Sequence, residues 1–481
     1  MNLSKKIICT VFLLIITWNF TQIILMGANR KFTQDEFQHT HITWCIKEKA
    51  MLPYIDFFEH HGPLYYYLNA ALWKASSIQD TNEILFLFRY SNIFLGFIIC
   101  ILTYLLSRKI FSISWALIAI VLLTSHSIFQ NLIIEIRPDS LIIVFWIFSL
   151  LLLFKNMNTH SRFLSLLIGL LWGLLNACMI KTMFLIIPLL IYLSFTKQTN
   201  IITSNKNAFF IFTGWLSVWI IFIIYFFIHD GSIIFLKSQF FWNILITFFT
   251  PKESIVFINF LKNNYVFFSL LLICLYEYLI IKTTYKNKIH RILLGGTILG
   301  LISVIGPFYE QHWFMFLPIL SIFCTNVLNT QFATINLISK KIFFILITLF
   351  FIRDACSNSV INLNNILSVS NKKQVDFLQF IQDKTNPNQI LLYFWGDLGG
   401  YIFRPHLNYY WWMDNHMQKT VYYLEKKDIL KHCLSEKNLK KYQPVIILED
   451  EELKNIPKDL ILIINKYYKR NNIYPVYFLN H

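Results

Sequence analysis

Charge is what this chain of 481 residues has least of. Only 14% of it is Asp, Glu, Lys or Arg, against about 25% in an ordinary soluble domain. With 56% hydrophobic residues and a mean hydropathy of +0.53, the chain lacks the polar surface that a water-soluble globule needs. Paired cysteine motifs are missing too. The eight cysteines contain no CxxC and no metal-type spacing, which removes zinc-ribbon and redox-motif readings. Cys9, Cys100, Cys178, Cys274 and Cys324 lie in apolar stretches and read as packing residues. Cys356 and Cys433 both fall in the tail, at a spacing that does not by itself support a disulfide. Gly-rich phosphate loops are absent, as is any internal repeat.

What is present in excess is apolar sequence in long runs. Segments such as Ile7–Ile24 and Leu141–Phe154 approach or reach the length that crosses a hydrocarbon layer roughly 30 Å thick. Taken in order, about eleven spans are expected, near 7–26, 84–106, 112–132, 138–154, 163–180, 182–196, 208–228, 264–281, 292–307, 313–328 and 341–353. Lys5-Lys6 before the first run resembles a signal peptide, but the run is too long for one and reads as an uncleaved helix.

The formal net charge of +16 does not indicate a nucleic-acid partner, because of where the cations sit. Arg108-Lys109, Lys155 with Arg162, Lys197 with Lys206, Lys282 through Arg291, and Lys340-Lys341 occupy alternate loops, whereas 307–312 has no Lys or Arg. By the positive-inside rule, the amino terminus is then inside and the long segments 27–83, 229–263 and 354–481 are outside. In the tail, Gln389–Phe394, Pro444–Leu448 and Tyr474–Phe478 read as strands, and Val375–Asp383 and Lys427–Leu439 as helices. Tyr65–Trp73 reads as an aromatic helix at the bilayer surface. The expected fold is therefore a polytopic α-helical membrane protein, with a transmembrane domain over 1–353 and a small α/β domain over 354–481.

Against this background one acidic loop stands out: Asp35-Glu36, Asp56, and Glu59-His60-His61. Ionisable groups beside lipid are costly and need a reason. Thr33 through Glu36 fits a capping box, so Glu36 is either a helix cap or a member of the catalytic pair that supports Asp35 from behind. Asp35, about 100° away on a helix, is free to serve as a general base. Asp56, Glu59 and His60 would share one helical face at i, i+3 and i+4, able to meet a metal or a phosphate, with His61 beside them.

Three other motifs lie at loops. In Glu135-Ile136-Arg137-Pro138-Asp139 the guanidinium is either paired with a carboxylate or used to hold a lipid phosphate. Lys181 in the next tight turn is a second phosphate cation or a side chain reaching for the interface. Glu310 and His312 precede the tenth span and are placed to close a site from another wall.

Taken together, the acidic pair, "PYIDFFEHHGPLYYYL", "EIRPDSL", "MIKTMFLIIP" and "YEQHWFMFLP" resemble the GT-C superfamily of membrane glycosyltransferases. The branch they resemble is the bacterial one that groups with protein O-mannosyltransferases and lipid A aminoarabinose transferases. The resemblance covers roughly the first 350 residues. It implies a polyprenyl-phosphate-linked sugar as donor, a glycan, lipid or protein as acceptor, and transfer on the periplasmic face of the bacterial inner membrane. It also implies Asp35 as the acceptor's base, and Arg137 and Lys181 as holders of the leaving phosphate. Some relatives use a divalent metal and others do not; Glu59 and His60 are the candidate ligands here. The chemistry agrees, since negative charge grows on the departing phosphate and fixed cations stabilise it. A flippase for lipid-linked glycans would instead favour charges at mid-membrane and inverted repeats. A ligase of whole glycans would use similar residues and differ in its donor.

Overall fold

In the computed structural model, residues 3–196, 205–243, 296–297, 300, 310–334, 371–394, 398–406, 436–448 and 458–479 are described. Contacts group the chain into two compact units, each assembled from separated stretches. The first contains 1–28, 89–222 and 252–368. The second contains 29–88, 223–251 and 369–481.

The first unit is built from apolar helices: α1 (Leu3–Asn29), α4 (Thr81–Arg108), α5 (Ile113–Ser125), α6 (Ser127–Leu132), α7 (Asp139–Thr159), α8 (Arg162–Cys178), α9 (Met183–Thr196), α10 (Asn205–Ile228) and α12 (Glu310–Thr334). Three of them, α1, α4 and α10, run on into residues of the second unit. Among the described residues, α1, α4, α7 and α10 are long and apolar enough to cross a membrane, and α5, α8 and stretches of α9 and α12 are shorter apolar helices. This is a multi-pass membrane protein. The expected spans 264–281 and 341–353, and nearly all of 292–307, lie outside the described residues.

The third expected span is not one helix. Residues 112–132 break at His126, which takes extended backbone angles, accepts the Ile128 amide on its ring and so caps α6. Just before the break, Thr124 Oγ1 donates back to the Ile120 carbonyl at 2.9 Å, a bond of the kind that bends helices. The Thr124 carbonyl released by the break is taken by Gln130 Nε2 at 2.9 Å.

Small residues let helices approach closely, as is common where lipid supplies no hydrophobic contrast. Gly169 and Gly173 of α8 face α10, and a Cβ on Gly169 would stand 1.9 Å from the Ile211 carbonyl oxygen. Polar cross-links finish the packing. Asn19 donates to Thr124 and Ser125, Trp172 to Ser149 at 3.0 Å, and Trp215 to Asn176 at 2.6 Å.

The second unit carries α2 (Gln34–Lys49), α3 (Leu64–Ser76), the one-turn α11 (Ser232–Leu236) running into a π-helical turn at Lys237–Trp242, and α13 (Lys372–Lys384). Further along come β1 (Leu391–Phe394), α14 (Glu436–Tyr442), β2 (Val445–Leu448), α15 (Lys458–Tyr467), β3 (Tyr468–Arg470) and β4 (Val476–Leu479). The strands form one sheet in the order β1-β2-β4-β3, parallel at β1–β2 and antiparallel elsewhere. Leu392, Leu439, Ile446, Leu448, Ile464, Tyr468 and Tyr477 make its core. Three strands and the helix at 375–383 fall where the sequence suggests, while α15 and β3 add to that reading. Of the helix expected at 427–439, residues 427–435 lie outside the described residues. Helix α3 matches the aromatic segment, but Tyr65, Tyr66 and Trp73 are buried, so much of its aromatic surface serves packing.

Candidate active site

Helix α2 starts with a complete capping box. The Glu36 carboxylate accepts the Thr33 amide at 2.8 Å, and Thr33 Oγ1 accepts the Glu36 amide. Glu36 is fully buried in that role, which is the cap reading of the sequence. The helix is fixed from outside as well. Gln374 of α13 brackets Phe32, accepting its amide at 2.7 Å and donating to its carbonyl at 3.0 Å. Gly399, at φ +66°, lets its backbone lie against the Phe37 ring, where any Cβ would stand 2.2 Å away.

One turn after Asp35 comes His39, on the same face of α2. Its Nδ1 lies 3.0 Å from the Tyr66 hydroxyl of α3. That phenol is held well above its usual range, first by burial and then by the Glu59 charge, with Asp35 among the smaller contributors. Burial and the Asp35 charge act the same way on Tyr401. Both phenols are thus kept protonated and able to donate, within electrostatic reach of Asp35.

The segment after α2 departs from the sequence reading. Residues 50–63 are not helical: Pro53 bridges Phe57, and Tyr54 takes a positive φ of 71° between them. The shared helical face expected for Asp56, Glu59 and His60 therefore does not exist. Pro53, whose ring presets φ, and Asp56, whose carboxylate bonds the turn's own backbone, favour a tight loop instead. Asp56 is exposed and accepts the Leu52 amide at 2.6 Å, a turn-stabilising role away from the site.

Glu59 is different. It is fully buried, and its Oε1 accepts the amides of His60 and His61 at 2.8 Å and meets His61 Nδ1 at 2.6 Å. Burial alone would raise this carboxyl, but the His61 charge and the imidazole hydrogen bonds outweigh it and hold it well below the usual carboxylate range. Its Oε2 has no hydrogen-bond partner among the described residues. The His60 and His61 rings lie with centroids 3.9 Å apart, tilted by 49°, and the Tyr66 hydroxyl lies 3.4 Å from His61 Nδ1.

Residues from 239 to 243 hold this loop by its backbone. Gln239 donates to the His61 carbonyl at 2.9 Å, Asn243 to the His60 carbonyl at 2.7 Å, and Tyr54 to the His61 carbonyl at 2.6 Å. His61, which sequence alone leaves beside the cluster, is thus central to it.

In the first unit, Arg137 and Asp139 are both buried. Arg137 Nε donates to Asp139 at 3.0 Å, with Glu135 at 3.9 Å, so the guanidinium is carboxylate-paired. Lys181 sits in the 3-10 turn Ile180–Thr182, within reach of the charges of Asp139 and Arg137. Among the described residues its ammonium has no hydrogen-bond or ion-pair partner. Glu310 and His312 open α12, but their side chains lie outside the described set.

The sequence reading missed His39, Tyr66 and Tyr401. The i, i+4 step from Asp35 to His39 was available as a signal; nothing local announces Tyr401.

The fold is shared with known proteins. Residues 60–226 match the family model described as dolichyl-phosphate-mannose-protein mannosyltransferase. Among solved structures, ArnT from Cupriavidus metallidurans bound to undecaprenyl phosphate is 11% identical, covering 94% of each chain with a TM-score of 0.57. AglB, the Archaeoglobus fulgidus oligosaccharyltransferase, in complex with an inhibitory peptide and a dolichol-phosphate, is 13% identical, with a TM-score of 0.59 over 100% of this chain and 75% of that one. The A. fulgidus oligosaccharyltransferase complex with Zn and sulfate is 14% identical, with a TM-score of 0.58; 82% of this chain matches 62% of that one. A search of the curated proteins returns no match. The match over residues 60–226 agrees with the resemblance to protein O-mannosyltransferases, and the fold is shared with ArnT and AglB.

Proposed function

We propose that this chain is a glycosyltransferase that moves a sugar from a polyprenyl-phosphate carrier to a hydroxyl acceptor on the periplasmic face of the bacterial inner membrane. The amino terminus lies in the cytoplasm and the tail forms a soluble periplasmic domain. The observation that carries this reading is the convergence of two motifs far apart in sequence. The charges of Asp35 and Glu59 both act on the Tyr66 phenol, which also meets His39 and His61. The topology is supported by the composition of the second unit. It joins 29–88, 223–251 and 369–481, the segments that loop charge assigns to one side of the membrane.

In this mechanism Asp35 accepts the proton of the acceptor hydroxyl as that oxygen bonds to the anomeric carbon, while the bond from that carbon to the phosphate oxygen breaks. One displacement inverts the anomeric centre. Tyr66 and Tyr401, held protonated, donate hydrogen bonds near the base, and the Glu59–His61 pair fixes the loop that faces it. Within the first unit, Arg137 and Lys181 are the cations suited to bind a phosphate, Lys181 supplying charge that Arg137 shares with Asp139.

The Glu59, His60 and His61 ligand atoms lie within 4.8 Å of one another, and Glu59 Oε2 is buried without a partner among the described residues. A carboxylate and two imidazoles suit a divalent metal. Such an ion would add positive charge that stabilises the leaving phosphate.

The test is to supply labelled sugar on polyprenyl phosphate to membranes with and without the protein. Label on a hydroxyl acceptor, with free polyprenyl phosphate released, supports the transferase. Carrier crossing the bilayer with no glycoside formed would make the protein a flippase instead.

A further inference from the structure

Helix α2 holds a second cluster that the transfer chemistry does not use. His41 and Cys45, four residues apart on one face, are both fully buried. His406, 361 residues away in sequence from Cys45, joins them, and one ligand atom from each of the three lies within 4.8 Å of the others.

The tautomer of His41 is decided by its partner. Its Nδ1 lies 2.9 Å from the Ile402 carbonyl. A carbonyl only accepts, so Nδ1 carries the proton and Nε2 presents its lone pair. An imidazole anchored to a backbone carbonyl in this way is the arrangement that orients a metal ligand.

His41 Nε2 stands 3.5 Å from Cys45 Sγ. A nitrogen and a sulfur bound to one tetrahedral zinc, at about 2.05 and 2.3 Å, are about 3.6 Å apart. The ring is held against Trp44, at 5.6 Å and 21° between planes, and against His406 at 5.4 Å. His406 is itself placed by the start of β1, where it bridges Leu391. It is half-buried as a residue, but both of its ring nitrogens are enclosed.

We propose that His41, Cys45 and His406 bind one zinc-class divalent metal ion, which ties α2 to the segment 398–406. On binding, Cys45 gives up its thiol proton to the buffer and no electron is transferred. The site is independent of the transfer reaction proposed above. Its ion would stabilise the helix that carries Asp35 and would not take part in bond breaking.

The test uses the full-length purified protein, stripped with chelator, kept reduced, and titrated with Co²⁺. Tetrahedral d–d bands in the visible, accompanied by a thiolate-to-cobalt charge-transfer band in the near ultraviolet and bleached by zinc, are expected. The charge-transfer band separates this site from Glu59, His60 and His61, which offer no sulfur. Cys45→Ser should abolish that band, and His406→Ala should weaken cobalt binding at least tenfold. Zinc should raise the Tm of the parent protein by more than it raises that of Cys45→Ala, in which only the Glu59, His60 and His61 group remains. Cobalt bound by the parent without a thiolate band would overturn the proposal, even if the variants failed to fold. So would a Cys45→Ser protein that keeps the band.

Discussion

Glu36 and Asp35 are neighbours with separable duties. The Glu36 carboxylate is spent on the Thr33 amide, so Glu36→Gln, which keeps an acceptor there, should leave transfer within about twofold of the parent. Glu36→Ala should lower stability by about 1 kcal/mol and reduce folded yield, read by thermal melting and membrane abundance. A loss beyond 100-fold in Glu36→Gln with normal abundance would make Glu36 part of the chemistry. Lys181 allows an equally clean substitution, because removing it strands no buried carboxylate partner, unlike removal of Arg137 beside Asp139. Lys181→Met should cost about 10²-fold in transfer, with most of the loss in donor KM if the ammonium holds ground-state phosphate. An unchanged donor KM and kcat would leave Lys181 as an interfacial side chain. At this scale, types of residue were legible and geometry was not. A capping box is a local pattern and was readable from Thr33 and Glu36. The Glu59 cluster required a non-helical loop whose shape is set by backbone bonds to Gln239 and Asn243, which no spacing within 50–63 reports.

Elements were more legible, because apolar length is a property of sequence itself. Helices α1, α4, α7 and α10 fall close to expected spans. The exception lies at 112–132: hydropathy over that window hides a polar Thr124–Ser127 stretch, within which the helix breaks at His126. Close helix crossing is equally invisible to hydropathy. The α8–α10 contact depends on Gly169, so Gly169→Leu should block it. The expected result is a marked fall in monodisperse protein by fluorescence-detected gel filtration. Leu171→Ala, on the same helix, serves as the control that keeps its yield. A Gly169→Leu protein that folds and melts normally would mean that the close approach to Ile211 contributes little.

At the scale of the whole molecule, membrane sidedness follows from loop charge, and the assembly of the second unit agrees with it. Asp80 and Lys109 are both exposed, and the charge pattern puts them on opposite sides. Asp80→Cys should react with an impermeant maleimide in intact spheroplasts, above the parent's background. Lys109→Cys should react only after permeabilisation, and the reverse pattern would invert the topology. The helical, multi-pass fold class is therefore read from one dimension, and the sidedness proposed from loop charge awaits that labelling. The approach of His41 on helix α2 to the Ile402 carbonyl, 361 positions away, required the folded chain.

The most direct measurement is the rate of sugar transfer from polyprenyl phosphate by Asp35→Asn in membranes, at matched abundance. The amide keeps the shape and removes the proton acceptor. The account predicts a loss of about 10²- to 10⁴-fold with little change in melting temperature. Transfer at the parent rate would contradict it.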